Sequence, residues 1–506
     1  MSENENLYLS LVANKAQQLA DKAFLLTPGR GPLLYSELAS RTGKLHSKLL
    51  DLGVTPGDRV VVQTQKSNEA VLLYLACLRV GAIYIPLNTA YTLNEVEYFL
   101  GDAQPQVFVC EPQKLAQCAE LANSLKVAHT MTLGENGEGS LLQNLAQLDA
   151  NPEVVMRASA DLASILYTSG TTGRSKGAML SHGNLLSNAQ TLHAYWQWED
   201  ETDVLLHALP IFHVHGLFVA LHCAMLGRSS VHFLARFDVN AVMQKLPQST
   251  VLMGVPTFYT RLLEEPAFDS AVCQKMRLFI AGSAPLLAET HDGFAARTGH
   301  EILERYGMTE CGMLTSNPYQ GERIAGTVGF ALPGVSARVC DDQGVELANG
   351  QTGVLEVTGS NVFSGYWQMP EKTAEEFRDD GYFITGDLSK MDRAGRITIV
   401  GRSKDLIISG GFNIYPKEIE SEIDLIAGVK ESAVIGIAHA DFGETVIAVV
   451  VLDGSCALTG EDILESLQDK LARFKQPKTI DFVGELPRNV MGKVQKAQLR
   501  EAYKNV

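Results

Sequence analysis

The 506-residue sequence predicts an α/β protein: a large N-terminal domain of layered α/β sheets carrying a β-rich subdomain, followed by a small α+β C-terminal domain. Three observations predict it. Strand-like apolar runs alternate with helix-length amphipathic segments over most of the chain, the pattern of a largely parallel sheet covered by helices. After about residue 330 the pattern changes to short strands punctuated by glycine. From residue 403 a separate β/α pattern begins, and a chain of this length is expected to form more than one core.

Taken in order, "DRVVVQT" (58–64) reads as a strand, Glu69 to Val80 as a helix and "AIYIPL" (82–87) as a strand. "GENGEGS" (134–140) is a surface turn. "LASILY" (162–167) and "GAML" (177–180) read as strands, with Ser181 or Asn184 starting the next helix. "SSVHFL" (229–234), the helix Val239 to Leu246 and "TVLMGV" (250–255) repeat the alternation. "VSARVCD", "GVLEVTG" and "GRITIVG" form the β-rich subdomain after residue 330. The boundary falls at Ser403 and Lys404, dividing the chain into 1–402 and 403–506. Beyond it lie a helix opened by Pro416 and the strands "ESAVIGIA", "TVIAVVVL" and "TIDFV".

Composition narrows the function. The chain is 46% apolar and 20% charged, ordinary for a water-soluble globular protein. Its most apolar window, Ala70 to Leu87, is interrupted by Arg79, Gly81 and Pro86 and reads as a buried helix and strand, not a membrane span. The acidic start "MSENENLYLS" is neither a secretory signal nor a transit peptide, and eight cysteines without a C-x-x-C pair read as reduced thiols. A cytoplasmic protein is expected. The net charge of −16 argues against nucleic acid as a general partner, although the stretch from residue 471 to the end is basic.

The chemistry starts at "YTSGTTGRSKGAMLSH" (167–182). A Gly/Ser/Thr turn between two strands leaves backbone N–H groups free to cradle phosphate. The spacing is not that of the Walker loop: Gly170 and Gly173 precede Lys176, and Ser175 stands where that loop needs glycine. On this stretch alone a flexible surface hairpin remains open. Four further stretches accompany it in order: "ALPIFHVHG" (208–216), "ERYGMTE" (304–310), "YFITGDLSKMDRAGRITIVGRSKDLI" (382–407) and "PRNVMGKVQK" (487–496). Together the five resemble the adenylate-forming family of acyl-CoA synthetases, peptide-synthetase adenylation domains and luciferases, over nearly the whole chain.

The resemblance implies ATP, Mg²⁺ and CoA as reactants and cofactors, and a C-terminal domain that is mobile. It implies that Thr168, Ser169, Gly170, Thr171, Thr172, Gly173 and Lys176 hold the β- and γ-phosphates. Thr309 would bond a phosphate oxygen, and Glu310 would ligate Mg²⁺. Gly282, Ser283, Ala284, Tyr306 and Gly307 would flank the adenine, and Asp387 and Arg402 would hold the ribose. Out of context, Asp387 reads as a turn aspartate and Glu310 as a helix N-terminal charge. His213 would line the acyl pocket, with His215 as a second candidate; each also reads as a satisfied core side chain. Lys493 would reach the acyl and α-phosphate oxygens, and Lys404 would be the hinge. Gly410, Gly411 and Lys475 would meet CoA. Acetylation of Lys493 would delete its charge, which makes a lysine acetyltransferase a candidate partner.

For the acid, "VLMGVPTFYTRLL", "LFIAGSAPLL", "IPLNTAYTLNE" and "YPKEIESEID" resemble the malonate-activating branch of that family. On that resemblance Arg261 would bind the distal carboxylate, with Ser283 and His213 nearby. Methylmalonate is a second candidate. Alternatively, Arg261 is an exposed helix arginine pairing with Glu264 or Glu265. The rival functions are an adenylation module that loads a carrier protein and a non-catalytic ligand-binding relative, which should have lost Lys493 or Glu310.

Overall fold

The computed structural model describes residues 4–13, 19, 21–168, 175–409, 412–439, 443–468, 470–471, 473, 475–489 and 492–504. One six-stranded sheet runs in the spatial order 129–132, 107–110, 59–63, 83–86, 162–168, 176–181. Its strands pair parallel except the last two, which are antiparallel neighbours. The apolar window of the sequence accounts for the helix Asn68–Val80, buried at every position as an interior layer must be. Ser67 caps it, and the Arg79 guanidinium donates to the carbonyls of Ala39, Asn151 and Glu153, which satisfies its donors without water.

A nine-stranded sheet follows the order 330–331, 312–316, 303–308, 278–281, 251–254, 204–207, 230–233, 23–26, 33–34. Its interior is parallel and its edges antiparallel. The carboxyl ends of four adjacent strands, 204–207, 251–254, 278–281 and 303–308, therefore open on one side. In open α/β sheets that is where ligands bind.

The four strands 335–340, 352–359, 383–391 and 397–402 form an antiparallel sheet. The last part of the chain builds its own sheet, with the long antiparallel pair Val429–His439 and Gly443–Leu452 and Thr479–Phe482 parallel beside it. Alternation places Val434 and Ala448 against the helices Pro416–Asp424 and Gly460–Leu467, and Ile435 and Ile447 against the helix Lys496–Tyr503. This sheet is apolar on both faces and carries a core on each. All eight cysteines are free, and seven are buried. Among the described residues no helix is long and apolar enough to cross a membrane.

Candidate active site

The hairpin Leu303–Met308 and Gly312–Ser316 gathers much of the "ERYGMTE" motif. Register shifts between Tyr306 and Gly307, and a Cβ at Gly307 would lie 2.1 Å from the Gly312 carbonyl oxygen; only glycine allows this bulge. The bulge turns Tyr306 toward the four-stranded sheet, where its hydroxyl donates to Asp387 Oδ2 at 2.5 Å. Asp387 is the register partner of Arg402, whose Nε lies 3.2 Å from its Oδ1. Burial raises the Tyr306 phenol well above its ordinary value, so it stays a donor.

Thr309 and Glu310 form the turn of the hairpin, and Glu310 is buried. The Tyr366 hydroxyl lies 3.1 Å from Glu310 Oε1 and 2.6 Å from Glu376 Oε2. Lys176 closes the network: its Nζ donates to Glu376 Oε1 at 2.7 Å and sits 4.0 Å from the Tyr366 ring centroid. Burial raises the Glu310 carboxyl, against the pull of its hydrogen bonds and of Lys176. Burial also works against the charge of Glu376, but hydrogen bonds from Lys176 and Tyr366 outweigh it and hold its carboxyl low. Tyr366 and Glu376 carried no signal in the sequence analysis; "SGYWQMPEKTAEEF" holds no motif read there. Among the described residues no group of three or more His, Cys, Asp or Glu could hold a metal unaided. Glu310 fits Mg²⁺ as a hard oxygen ligand if phosphate and water oxygens complete the shell.

His213 follows the strand Val204–His207. Its Nδ1 accepts from the backbone N–H of His215 at 3.2 Å, and burial, reinforced by Lys493 and Arg305, pulls its pKa to about 3. It is therefore the neutral tautomer with its proton on Nε2. Ser283 holds φ at +71°, and its Oγ lies 3.3 Å from His215 Nδ1. Before it, a Cβ at Gly282 would fall 2.5 Å from the guanidinium carbon of Arg305. Ala284 follows on the same segment.

Lys493 arrives from the C-terminal sheet on a tight turn. Gly492 N–H donates to the Asn489 carbonyl, and Lys493 N–H to Asn489 Oδ1 at 3.0 Å. A Cβ at Gly492 would lie 3.2 Å from Thr257 Oγ1, so this turn packs on the helix Pro256–Leu263. Burial, helped by Arg402 and Arg305 and opposed by Asp387 and Glu310, lowers the Lys493 ammonium to about 8. The structure thus brings Lys493, His213, Glu310, Asp387 and Arg402 to one cleft. Lys404 is exposed in the turn Ser403–Asp405, beside the Arg500–Asp405 ion pair.

Arg261 is not a buried pocket cation: it is exposed and makes no hydrogen bond or ion pair among the described residues, with Glu264 and Glu265 included. Helical spacing explains this. Thr257, Arg261 and Glu264 share one face, whose ends meet Gly492 and Lys430 of the C-terminal part, and Arg261 lies between them at the seam. Lys475 Nζ is 2.6 Å from Glu418. Thr168 ends its strand opposite Lys176, the two strands being antiparallel neighbours as expected of "LASILY" and "GAML" on either side of a turn. Ser169, Gly170, Thr171, Thr172, Gly173, Gly410 and Gly411 lie outside the described residues.

The AMP-binding enzyme family matches residues 12–367, and the AMP-binding enzyme C-terminal domain matches 418–493. The chain belongs to the AMP-binding enzyme family. This family member has the fold expected of it, layered α/β sheets in a large N-terminal part and a small C-terminal part. It is 34% identical to a malonate–CoA ligase of Arabidopsis thaliana, over 92% of this chain and 81% of that one. It is 32% identical to a feruloyl-CoA synthase of Amycolatopsis, over 96% and 97%. ATP-bound MatB from Rhodopseudomonas palustris is 54% identical over 99% of both chains, with a TM-score of 0.97. The apo form of MatB, equally identical over the same share of both chains, superposes at 0.85.

Proposed function

We propose that this member of the AMP-binding enzyme family is an ATP-dependent malonate–CoA ligase. A malonate carboxylate attacks the α-phosphorus of ATP, giving malonyl-adenylate and pyrophosphate. CoA thiolate then attacks the acyl carbon, giving malonyl-CoA and releasing AMP. One observation carries the reading: Lys493 is delivered by one part of the chain into a cleft built by the other, beside neutral His213 and the carboxylates of Glu310 and Asp387. The likeness to malonate–CoA ligase and to MatB supports the choice of acid.

The first step needs no general base, since a carboxylic acid is ionised at neutral pH. It needs two anions aligned and their growing charge stabilised. Lys493, about nine-tenths protonated a pH unit below its pKa, supplies charge to the acyl and α-phosphate oxygens. His213 donates from Nε2 to the carboxylate. Thr168, Lys176 and Thr309 hold the phosphate tail, and Tyr366 orients Glu310, the Mg²⁺ ligand. Bound Mg²⁺ neutralises phosphate charge. Tyr306 keeps Asp387 in place for the ribose, with Arg402 beside it. For the second step, residues 403–506 rotate against 1–402 about Lys404, withdrawing Lys493 and admitting CoA. Free buried thiols favour a reducing compartment, and we place the enzyme in the cytoplasm.

The test is a panel of malonate, methylmalonate, propionate and ferulate with ATP, Mg²⁺ and CoA, scored for thioester and AMP. Malonate is expected to have the highest kcat/KM. Thioester only on a carrier protein, or preference for a monoacid, overturns the reading.

A further inference from the structure

Residues 365–367 pair with the edge of the strand Lys176–Ser181. Trp367 N–H donates to the Gly177 carbonyl at 2.7 Å, and Met179 N–H to the Gly365 carbonyl at 3.0 Å. This pairing sets Tyr366 opposite Ala178, and its ring faces the Lys176 ammonium. Tyr366 N–H donates to Thr373 Oγ1 at 2.9 Å, which ties the segment to the helix Pro370–Glu375. That helix carries Lys372 and ends at Glu376. One carboxylate oxygen therefore meets two cations: Glu376 Oε1 lies 2.7 Å from Lys176 Nζ and 3.2 Å from Lys372 Nζ. The two cations differ in setting. The Lys176 side chain is 16% exposed and the Lys372 side chain 38%.

Lys176 is the residue read above as holding the phosphate tail, yet its ammonium is already paired with a carboxylate. A triphosphate brings several negative charges to the same ammonium. It must break the pair or share it, and in both cases the charge of Glu376 opposes the phosphate. Breaking the pair does not strand the carboxylate, because Lys372 is already on the same oxygen. We propose that Glu376 is a positioning residue that competes with the phosphate tail for Lys176. It holds the ammonium in the free enzyme, passes to Lys372 when ATP binds, and takes Lys176 back as pyrophosphate leaves. The inference rests on the ligase reading above and on the place of Lys176 in it. Affinity that ATP and pyrophosphate share does not speed the chemical step, and pyrophosphate that stays bound favours the reverse reaction. A carboxylate competing for the lysine weakens both.

The experiment measures the Kd of MgATP and of magnesium pyrophosphate by calorimetry, without malonate, for full-length wild type, Glu376→Gln, Glu375→Gln and Lys372→Ala, with the melting temperature of each unliganded protein. Glu376→Gln is expected to bind both ligands about tenfold more tightly, the scale of one hydrogen bond to a charged group. A merely structural role would instead loosen binding. Glu375→Gln removes the same charge one residue away, from a carboxylate 3.0 Å from Lys372, and should change either Kd by less than about twofold. Lys372→Ala should bind both ligands more weakly, since Glu376 then keeps Lys176. If Glu376→Gln does not fold, the other two variants still decide. Affinity unchanged or weaker in Glu376→Gln, unchanged or tighter in Lys372→Ala, or raised by Glu375→Gln as much as by Glu376→Gln overturns the inference. A wild type that binds MgATP but makes no malonyl thioester overturns the ligase reading alone, and one that binds neither ligand overturns both.

Discussion

Lys493 acts on the cleft from a turn whose geometry is set by Asn489 and Gly492, and its surroundings hold its pKa near about 8. Lys493→Ala should slow malonyl-adenylate formation by about a hundred- to a thousandfold, as for loss of one preorganised donor. Thioester formation from supplied malonyl-adenylate should change far less; equal loss in both half-reactions would refute the role. In the proposed mechanism the protonated amine is the working form. Adenylation should therefore be nearly full a pH unit below about 8 and fall through about pH 8 as Lys493 loses its proton, a limb that Lys493→Arg should remove. A flat profile up to pH 10 would contradict this. Tyr366→Phe removes the hydroxyl that lies between Glu310 and Glu376. It should raise the Mg²⁺ concentration needed for half-maximal rate, by roughly the worth of one hydrogen bond to a charged group, 1.5–3 kcal/mol; an unchanged Mg²⁺ curve would contradict it.

At the scale of elements, legibility followed distance along the chain. The strands "DRVVVQT" and "TVLMGV", the helix read over Glu69 to Val80 and a helix start at Ser181 or Asn184 were readable because period and capping are local signals, and the structure chooses Ser181 as the cap. Glu310, Asp387 and Lys493 could be proposed from the sequence because each sits in a compact motif. Glu376 and Tyr366 were not. Lys176 reaches Glu376 across 200 positions, and no local pattern encodes that pairing. Arg261 shows the other limit: its place on a helix was one of two readings open in the sequence, and helical period does not say which face of Pro256–Leu263 meets the cleft and which opens on the seam. An exposed guanidinium makes a weak pair, so Arg261→Ala should cost malonate use about 1 kcal/mol relative to propionate. A loss at the buried-pair scale of roughly 3–5 kcal/mol would mean that the helix turns inward when malonate binds. The hairpin at Gly307 is stricter. Gly307→Ala would force its methyl into the Gly312 carbonyl and should destabilise the protein by about 1–3 kcal/mol, read as a lower melting temperature; an unchanged value would deny the bulge its steric basis.

At the scale of the whole molecule, two separately cored parts share one cleft. The chain matches ATP-bound MatB at a TM-score of 0.97 and the apo form at 0.85, and in the arrangement described here Lys493 lies in the cleft. In the proposed mechanism that arrangement suits the first half-reaction, and the second requires another. Lys404→Pro should fix φ at the turn between the parts, so that one half-reaction survives while the other fails. Both running normally would place the pivot elsewhere. The most direct test of the account is malonate-dependent ATP–pyrophosphate exchange by the full-length enzyme without CoA, followed by addition of CoA. The account predicts exchange that depends on malonate and Mg²⁺ and needs no CoA, then malonyl-CoA and AMP released in equal amounts. Absence of exchange until CoA is added, or release of ADP and phosphate in place of AMP and pyrophosphate, would contradict it.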